Sequence, residues 1–308
     1  MSAFRILRRI AAALLFVALV STSALVLARR APGDYTDTLR AARMPAEAIE
    51  RERSRLYLDR SLPDLSRIWL TGLVRLDLGT SYRFSRPVTS LLIERAPRTL
   101  ALVASAIALA FILGMFWGTW LVQGRPAVRM FLSGAATLVL AVPSVVLLFV
   151  LLLIAVRSGW LSQGAHGIVT PLLGVTALLL PAAAALARLH AEALAAAVGE
   201  PWAAASSARG VTRRVLVWKL AMRVAATRVV SVMPLVSANI FGASLLVEVV
   251  TGWAGLGRLM LDALVGRDIF LVAGCTVAIA GSVALLGIVS DALVAALDPR
   301  VAASEASR

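Results

Sequence analysis

The chain has 308 residues, 60% of them hydrophobic, with a mean hydropathy of +0.87 and a net charge of +14. Soluble domains hold roughly 45–50% apolar residues, so the composition excludes a soluble fold and suits about six membrane spans with one sizeable loop. In a soluble protein such a basic excess would point to nucleic acid. Here the 31 basic residues sit mostly in loops between apolar runs, so topology accounts for the charge and no nucleic-acid partner is expected.

Arg5, Arg8 and Arg9 precede an apolar run from Ile10 to Ala28, which as a helix rises about 28 Å, close to the hydrocarbon thickness. A cleaved signal peptide shares the basic start. Its apolar core is usually only about 7–15 residues long, however, and Arg29-Arg30 makes a poor cleavage flank. Residues 1–28 therefore read as an N-terminal segment with an uncleaved first span. Residues 29–98 form the one extended polar segment, a partly helical extracytoplasmic cap. Pro45 opens a charged helical stretch to Arg53, and turns are expected at Gly72 and Gly79. Asp77 and Gly79 have the chemistry of turn residues.

Residues 99–308 read as a core of five further spans. The second, Leu100 to Val122, carries Trp117 and Trp120 as interfacial anchors, and a basic turn, Gly124 to Arg129, follows. The third runs from Phe131 to Val156 through Pro143, and the fourth from Ile168 to Ala187 through Pro181. Proline inside a membrane helix is tolerated because neighbours satisfy the freed carbonyl, so these are read as bends. A polar loop, residues 190–228, separates the fourth span from the fifth, Val229 to Val247, which contains Pro234. Glu248 leads into a glycine-rich stretch ending at Arg258, and the sixth span is Phe270 to Ser290. Glu248 and Asp291 then stand at span edges, leaving no charge inside a span. Cys275 lies alone in an apolar run and reads as a small packing residue.

The loop at 200–223 is a cationic island. Pro201 suits the first position of a short helix, Gly210 the left-handed residue that ends it, and Thr212 the cap of the next. Arg209 falls at the partially negative end of the first helix. With the N-terminus inside, the cytoplasmic segments hold 14 Lys/Arg and the two short outer loops three. The 29–98 segment exceeds the length, roughly 60 residues, over which charge constrains translocation. The island is therefore expected on the cytoplasmic side, with both termini.

Catalytic chemistry is not evident. A P-loop needs a lysine before Ser/Thr, whereas the one lysine is Lys219 in Trp-Lys-Leu. The two histidines, His166 and His190, are expected on opposite sides of the membrane, so neither metal nor cofactor is expected in this chain. His190 is read as a solvated residue at headgroup level. Ion-coupled carriers hold ionisable groups or broken helices at mid-membrane, and the spans as drawn lack such charges. Energy is then expected from outside the chain.

The residues from 202 to 210 resemble the cytoplasmic loop of binding-protein-dependent ABC importer permeases, where Glu-Ala-Ala, three residues and Gly form the helix that docks into the ATPase. Ala204, Ala205, Ser206 and Gly210 match those positions. The dipeptide/oligopeptide/nickel subfamily is more similar still, with an aromatic residue eight before the glycine (Trp202) and a basic one just before it (Arg209). The chain departs from that pattern at Ala204, where an acid is usual, at Ser207, where a basic residue is common, and at Arg228, where proline is usual. An ordered series extends the resemblance over nearly the whole chain: Pro32-Gly33-Asp34, Leu58 to Pro63, Asp77-Leu-Gly79-Thr-Ser81, Arg86-Pro-Val88 and Glu94 to Leu100. It continues with Glu248, the Gly255-Leu-Gly257-Arg258 turn (Ala254 standing where proline is usual), Asp291 and Leu297-Asp298-Pro299-Arg300-Val301.

The resemblance implies an all-α integral membrane protein with six transmembrane helices in the type I ABC importer permease fold. It implies the first membrane subunit of an importer in a bacterial plasma membrane, moving a small solute such as a di- or oligopeptide or a nickel complex. Its implied partners are a second homologous permease subunit, two ATP-binding subunits that hold ATP and Mg, an extracytoplasmic solute-binding protein and the lipid bilayer. Trp202, Ala204, Ala205, Ser206, Arg209, Gly210, Arg213 and Arg214 become the ATPase-coupling set. Two other readings stay open: a non-transporting assembly or receptor subunit using the same loop to bind a cytoplasmic partner, and a proton-coupled carrier.

Overall fold

The computed structural model describes residues 3–33, 35–41, 43–160 and 166–297, and among these it is almost wholly helical. Five helices are long and apolar enough to cross a membrane, and a sharply bent pair brings the number to six if it counts as one span. The chain groups into two compact units. One comprises Ile6–Leu100 and Gly252–Ala284; the other comprises Met1–Arg5, Ala101–Thr251 and Leu285–Arg308.

In the first unit α1 (Ala3–Arg30) is followed by the short helices α2 (Thr36–Ala41), α3 (Ala46–Arg55) and α4 (Leu62–Val74). Ser61 caps α4, its hydroxyl accepting the Asp64 N–H. Many apolar side chains of α1, among them Leu14, Leu15 and Leu19, are exposed, as a lipid-facing helix requires. The core gathers around Leu25, Trp69, Tyr82 and Phe270. The Trp69 indole donates to Ser21 at 3.2 Å and the Tyr82 hydroxyl to the Leu56 carbonyl at 2.7 Å, while the Tyr82 and Phe270 rings meet edge to face at 5.8 Å. Cys275 is buried in the same core.

Asp268, also fully buried, accepts from the Ser81 hydroxyl at 2.6 Å and from the backbone of Arg83 and Leu271. The last bond caps the helix that follows. Burial pushes its carboxyl above the ordinary range, against these hydrogen bonds, which favour the charged form. Burial, joined by the charge of Asp268, also raises the Tyr82 phenol.

Two expectations for this region change. Gly72 lies in the last turn of α4 and accepts the N–H groups of Arg75 and Asp77, so the chain turns after it. The polar segment also ends earlier than residue 98: α5 is continuous over Val88–Gln123 with Pro97 inside it. The Gly79 turn is as expected, with φ +77°.

The second unit is built on α8 (His166–Gly199), which touches α6 (Pro126–Ala141), α7 (Ser144–Arg157), the island helices and α12 (Met233–Thr251). Gly114 and Gly118 of α5 let two helices approach: a Cβ on Gly118 would stand 2.5 Å from the Ala187 carbonyl, and one on Gly114 would stand 2.7 Å from the Leu186 Cβ. This is the small-xxx-small contact of membrane helices. α6 restarts at Pro126, so the expected turn through Arg129 shrinks to Gly124 and Arg125.

The third span is not one bent helix. α6 and α7 meet at 103° around Val142 and Pro143. Proline lacks the N–H that would continue the helix and pushes the preceding residue out of the helical region; Val142 is extended at φ −100°, ψ 121°. Pro181, by contrast, sits inside unbroken α8. The fifth span begins at Met233 rather than Val229, because Val232 ends the preceding helix. The helices that hold Glu248 and Asp291 run past both residues, Glu248 falling in the last turn of α12. Glu248 is fully buried within α12, and Asp291 lies within the last helix, Ile269–Leu297.

Candidate functional site

The island folds as a helix, a corner and a second helix. α9 (Pro201–Ala208) has Glu200 at its N-cap and Pro201 at its first position. It closes in a Schellman arrangement: Gly210 N–H bonds the Ser207 carbonyl at 3.0 Å and Val211 N–H the Ser206 carbonyl at 3.1 Å. Gly210 has φ +86°, a conformation that a β-branched residue adopts only with strain. The Arg209 guanidinium donates to the Ala205 carbonyl at 3.2 Å, joining a cation to the negative helix end. Thr212 takes the N-cap position of α10 (Arg213–Val215), but its side chain makes no capping hydrogen bond. A π-helical segment, Leu216–Ala221, then leads into α11 (Met222–Ser231).

The inner side of this pair is seated on the end of α8. Val217, Ala221 and Ala225 form one buried cluster with Ala193, Leu194 and Ala197, and Trp202 packs against it. Ser206 is buried and its hydroxyl returns to the Trp202 carbonyl. Trp202 and Ser206 therefore shape the seat, whereas Ala204, Ala205, Arg209, Gly210, Arg213 and Arg214 form the exposed side. Among the described residues none of Arg209, Arg213, Arg214, Lys219 or Arg223 makes an ion pair.

The remaining signature positions are dispersed. Gly33 has φ +80°. Asp77 accepts the Gly79 N–H at 2.9 Å in a side-chain turn. Gly255 caps α13 (Leu256–Val265), in which Gly257 is buried, and the Leu256 N–H bonds the Thr99 hydroxyl at 2.7 Å. Asp34, Asp298, Pro299 and Arg300 lie outside the described residues.

Two features escaped the sequence reading. His190 is not solvated: it is fully buried, its ring nitrogen Nε2 3.2 Å from the Thr119 hydroxyl, with Gly118 directly beneath the ring. Second, a cavity of about 220 Å³ opens beside the α6–α7 break, lined by Ser144, Pro181 and Asn239 among apolar residues. Asn239 is exposed on α12, between Ala238 and Ile240. An amide in an apolar run was the signal available for it.

A family model described as "Binding-protein-dependent transport system inner membrane component" matches residues 106–303. The chain is 30% identical over 288 residues to the oligopeptide transport system permease protein OppB of Mycobacterium tuberculosis, covering 86% of this chain and 88% of that one. It is 30% identical over 276 residues to the glutathione transport system permease protein GsiC of Pectobacterium atrosepticum, covering 88% and 89%. Among solved structures, an inward-facing MetNI methionine ABC transporter shares the fold at a TM-score of 0.56 and 20% identity, over 68% of this chain and 97% of that one.

Proposed function

Because the chain belongs to the family of binding-protein-dependent transport system inner membrane components and is a permease subunit of an ABC importer, we propose that it carries short peptides and is driven through residues 200–223. Membership places it in the inner membrane as a multi-pass component working with ATPase and binding-protein components. The peptide cargo is supported by relatives named for oligopeptides and for glutathione. The arginine distribution supports cytoplasmic termini and a cytoplasmic island. The full assembly in this reading has a second homologous permease subunit, two ATP-binding subunits and one extracytoplasmic solute-binding protein.

One observation carries the coupling assignment: the island presents an unpaired cationic side on a rigid, buried seat. Small side chains at Ala204 and Ala205 admit close approach of a partner, and Arg209, Arg213 and Arg214 favour an acidic one. ATP-driven closure of the ATPases presses on α9. The corner at Gly210 fixes the angle through which the load passes to α11. Only Val232 separates α11 from α12, so the displacement reaches the span that bears Asn239. Asn239 and Ser144 then line the route of the peptide, offering hydrogen bonds in an otherwise apolar wall.

The test is reconstitution of the complete importer in proteoliposomes with a cysteine at position 205. Cross-linking to the ATPase that changes with ATP supports the assignment. Full ATP-driven uptake without any such cross-link, or with residues 200–223 labelled from the outside, overturns it.

A further inference from the structure

A second polar cavity, of about 290 Å³, lies within the unit that holds the 29–98 segment. Its walls come from α3, from Tyr57, from Trp69 on α4 and from the turn at 77–82. We propose that this cavity binds the protonated amino terminus of a short peptide, an inference that rests on the peptide-carrier reading above.

The backbone around it is unusual. Tyr57, Leu76 and Ser85 have φ of 58°, 58° and 50°, and Gly79 has φ 77°. Tyr57, Gly79 and Ser85 line the cavity, and Leu76 immediately precedes Asp77, which also lines it. L-residues hold such conformations only where their surroundings over-determine them, and these conformations concentrate at ligand clamps. Here the surroundings are the buried aromatics Trp69, Tyr82 and Phe270, whose rings contact one another.

The polar groups that this backbone presents are incompletely used. One oxygen of Asp77 accepts the Gly79 N–H; the other makes no hydrogen bond among the described residues, nor do the hydroxyls of Thr80 and Ser85. Two carboxylates, Asp77 and Glu52, line the cavity together with one guanidinium, Arg55, which already lies 3.5 Å from Glu52. In a chain carrying +14, a cavity where acids outnumber bases selects a cation. An ammonium supplies three donors, for which the Asp77 carboxylate and the two hydroxyl oxygens of the lining are acceptors. Tyr57, at the rim with its ring open to solvent, adds an aromatic face that attracts the same charge. Arg55 stands ready for the carbonyl or carboxylate that follows. The volume falls at the small end of ligand pockets, which start at roughly 300 Å³, so about two residues enter.

The full chain in lipid nanodiscs is titrated calorimetrically with alanyl-alanine, N-acetyl-alanyl-alanine and alanyl-alanine amide. Saturable binding of alanyl-alanine and its amide, weakened about tenfold or more by N-acetylation, is the expected result. Asp77→Asn should weaken binding by a similar factor. Because Asp77 also shapes the turn, Thr80→Val and Ser85→Ala are measured beside it, each expected to reduce affinity without lowering the melting temperature. Absence of saturable binding up to about 10 mM, at the weak limit of useful affinity, or equal binding of the acetylated peptide, overturns the site. So does binding that survives all three substitutions. Uptake of labelled alanyl-alanine by the complete importer is scored separately. Uptake without binding to the chain removes this site and leaves the carrier reading intact; absence of peptide uptake removes the carrier reading itself.

Discussion

The 29–98 region and the 200–223 island are both rich in arginine, yet they use it in opposite ways. The first pairs part of its charge within its own unit: Arg267 meets Asp37 at 2.9 Å, Arg86 meets Glu94 at 3.2 Å, and Arg83 meets Asp262 at 3.6 Å. Its buried polar groups are likewise matched within the chain, Trp69 to Ser21 and Asp268 to Ser81. The island pairs only its inner, apolar side and leaves its cations without counter-ions among the described residues. Exposed pairs contribute little to stability, about 0–1 kcal/mol each, so the contrast concerns where the partner of each charge resides. One region is partly neutralised within its own unit; the other leaves its cations open.

The contrast breaks most visibly at the aromatic core. Trp69→Ala removes a fully buried side chain and should destabilise its unit by about 3–5 kcal/mol, read as a lowered melting transition. The island, whose seat shares no residue with that core, should keep its protease resistance. Gly210→Val comes next. Forcing a β-branched residue into the left-handed region costs roughly 1–2 kcal/mol, so ATP-driven uptake should fall severalfold or more while the melting temperature drops by only a few degrees. Normal uptake in that variant would remove Gly210 from the coupling path.

A finer test replaces Arg209, Arg213 and Arg214 together with Gln. Since these cations make no ion pair among the described residues and only Arg209 touches the chain, at the end of α9, stability should fall by no more than about 1 kcal/mol, while association with the ATPase becomes slower and less dependent on salt. A larger loss of stability would contradict the open electrostatics of the island.

The smallest effect concerns pH. The folded Asp268 carboxyl titrates above its unfolded value, near 3.9, because of burial. The folded state therefore holds the proton more tightly than the unfolded one, and this contribution is complete below the unfolded pKa and lost as pH rises through the folded pKa. The melting temperature of the wild type should accordingly rise relative to Asp268→Asn as pH is lowered through the folded pKa towards the unfolded value. A constant difference across that range would sink the assignment.

The local grammar of the island was legible in the sequence. Pro201 and Gly210 announce a helix start and stop through rules that act within a few residues, and both ends stand where those rules put them. The multi-span helical fold was legible for the same reason, since apolar runs long enough to cross a bilayer leave few alternatives. Contacts made at long range were not. His190 looked solvated beside Arg188 and Glu192, and only the approach permitted by Gly118, far away in sequence, buries it. Pro143 and Pro181 looked alike on the page, although one breaks a span and the other rides inside α8. The difference lies in whether Val142 extends, which depends on what surrounds it.

That break has a consequence for the life of the polypeptide. Where α6 stops and α7 begins, carbonyl dipoles at the end of one helix lose their intrahelical acceptor role, and hydrocarbon offers them nothing in exchange. If the elbow lies within the hydrocarbon, a solitary copy would carry these dipoles as a standing defect, whereas a companion subunit or a thread of water laid along it would quench them. Synthesis without its companions should therefore leave a short-lived molecule, one whose survival in the cell is itself a gauge of assembly.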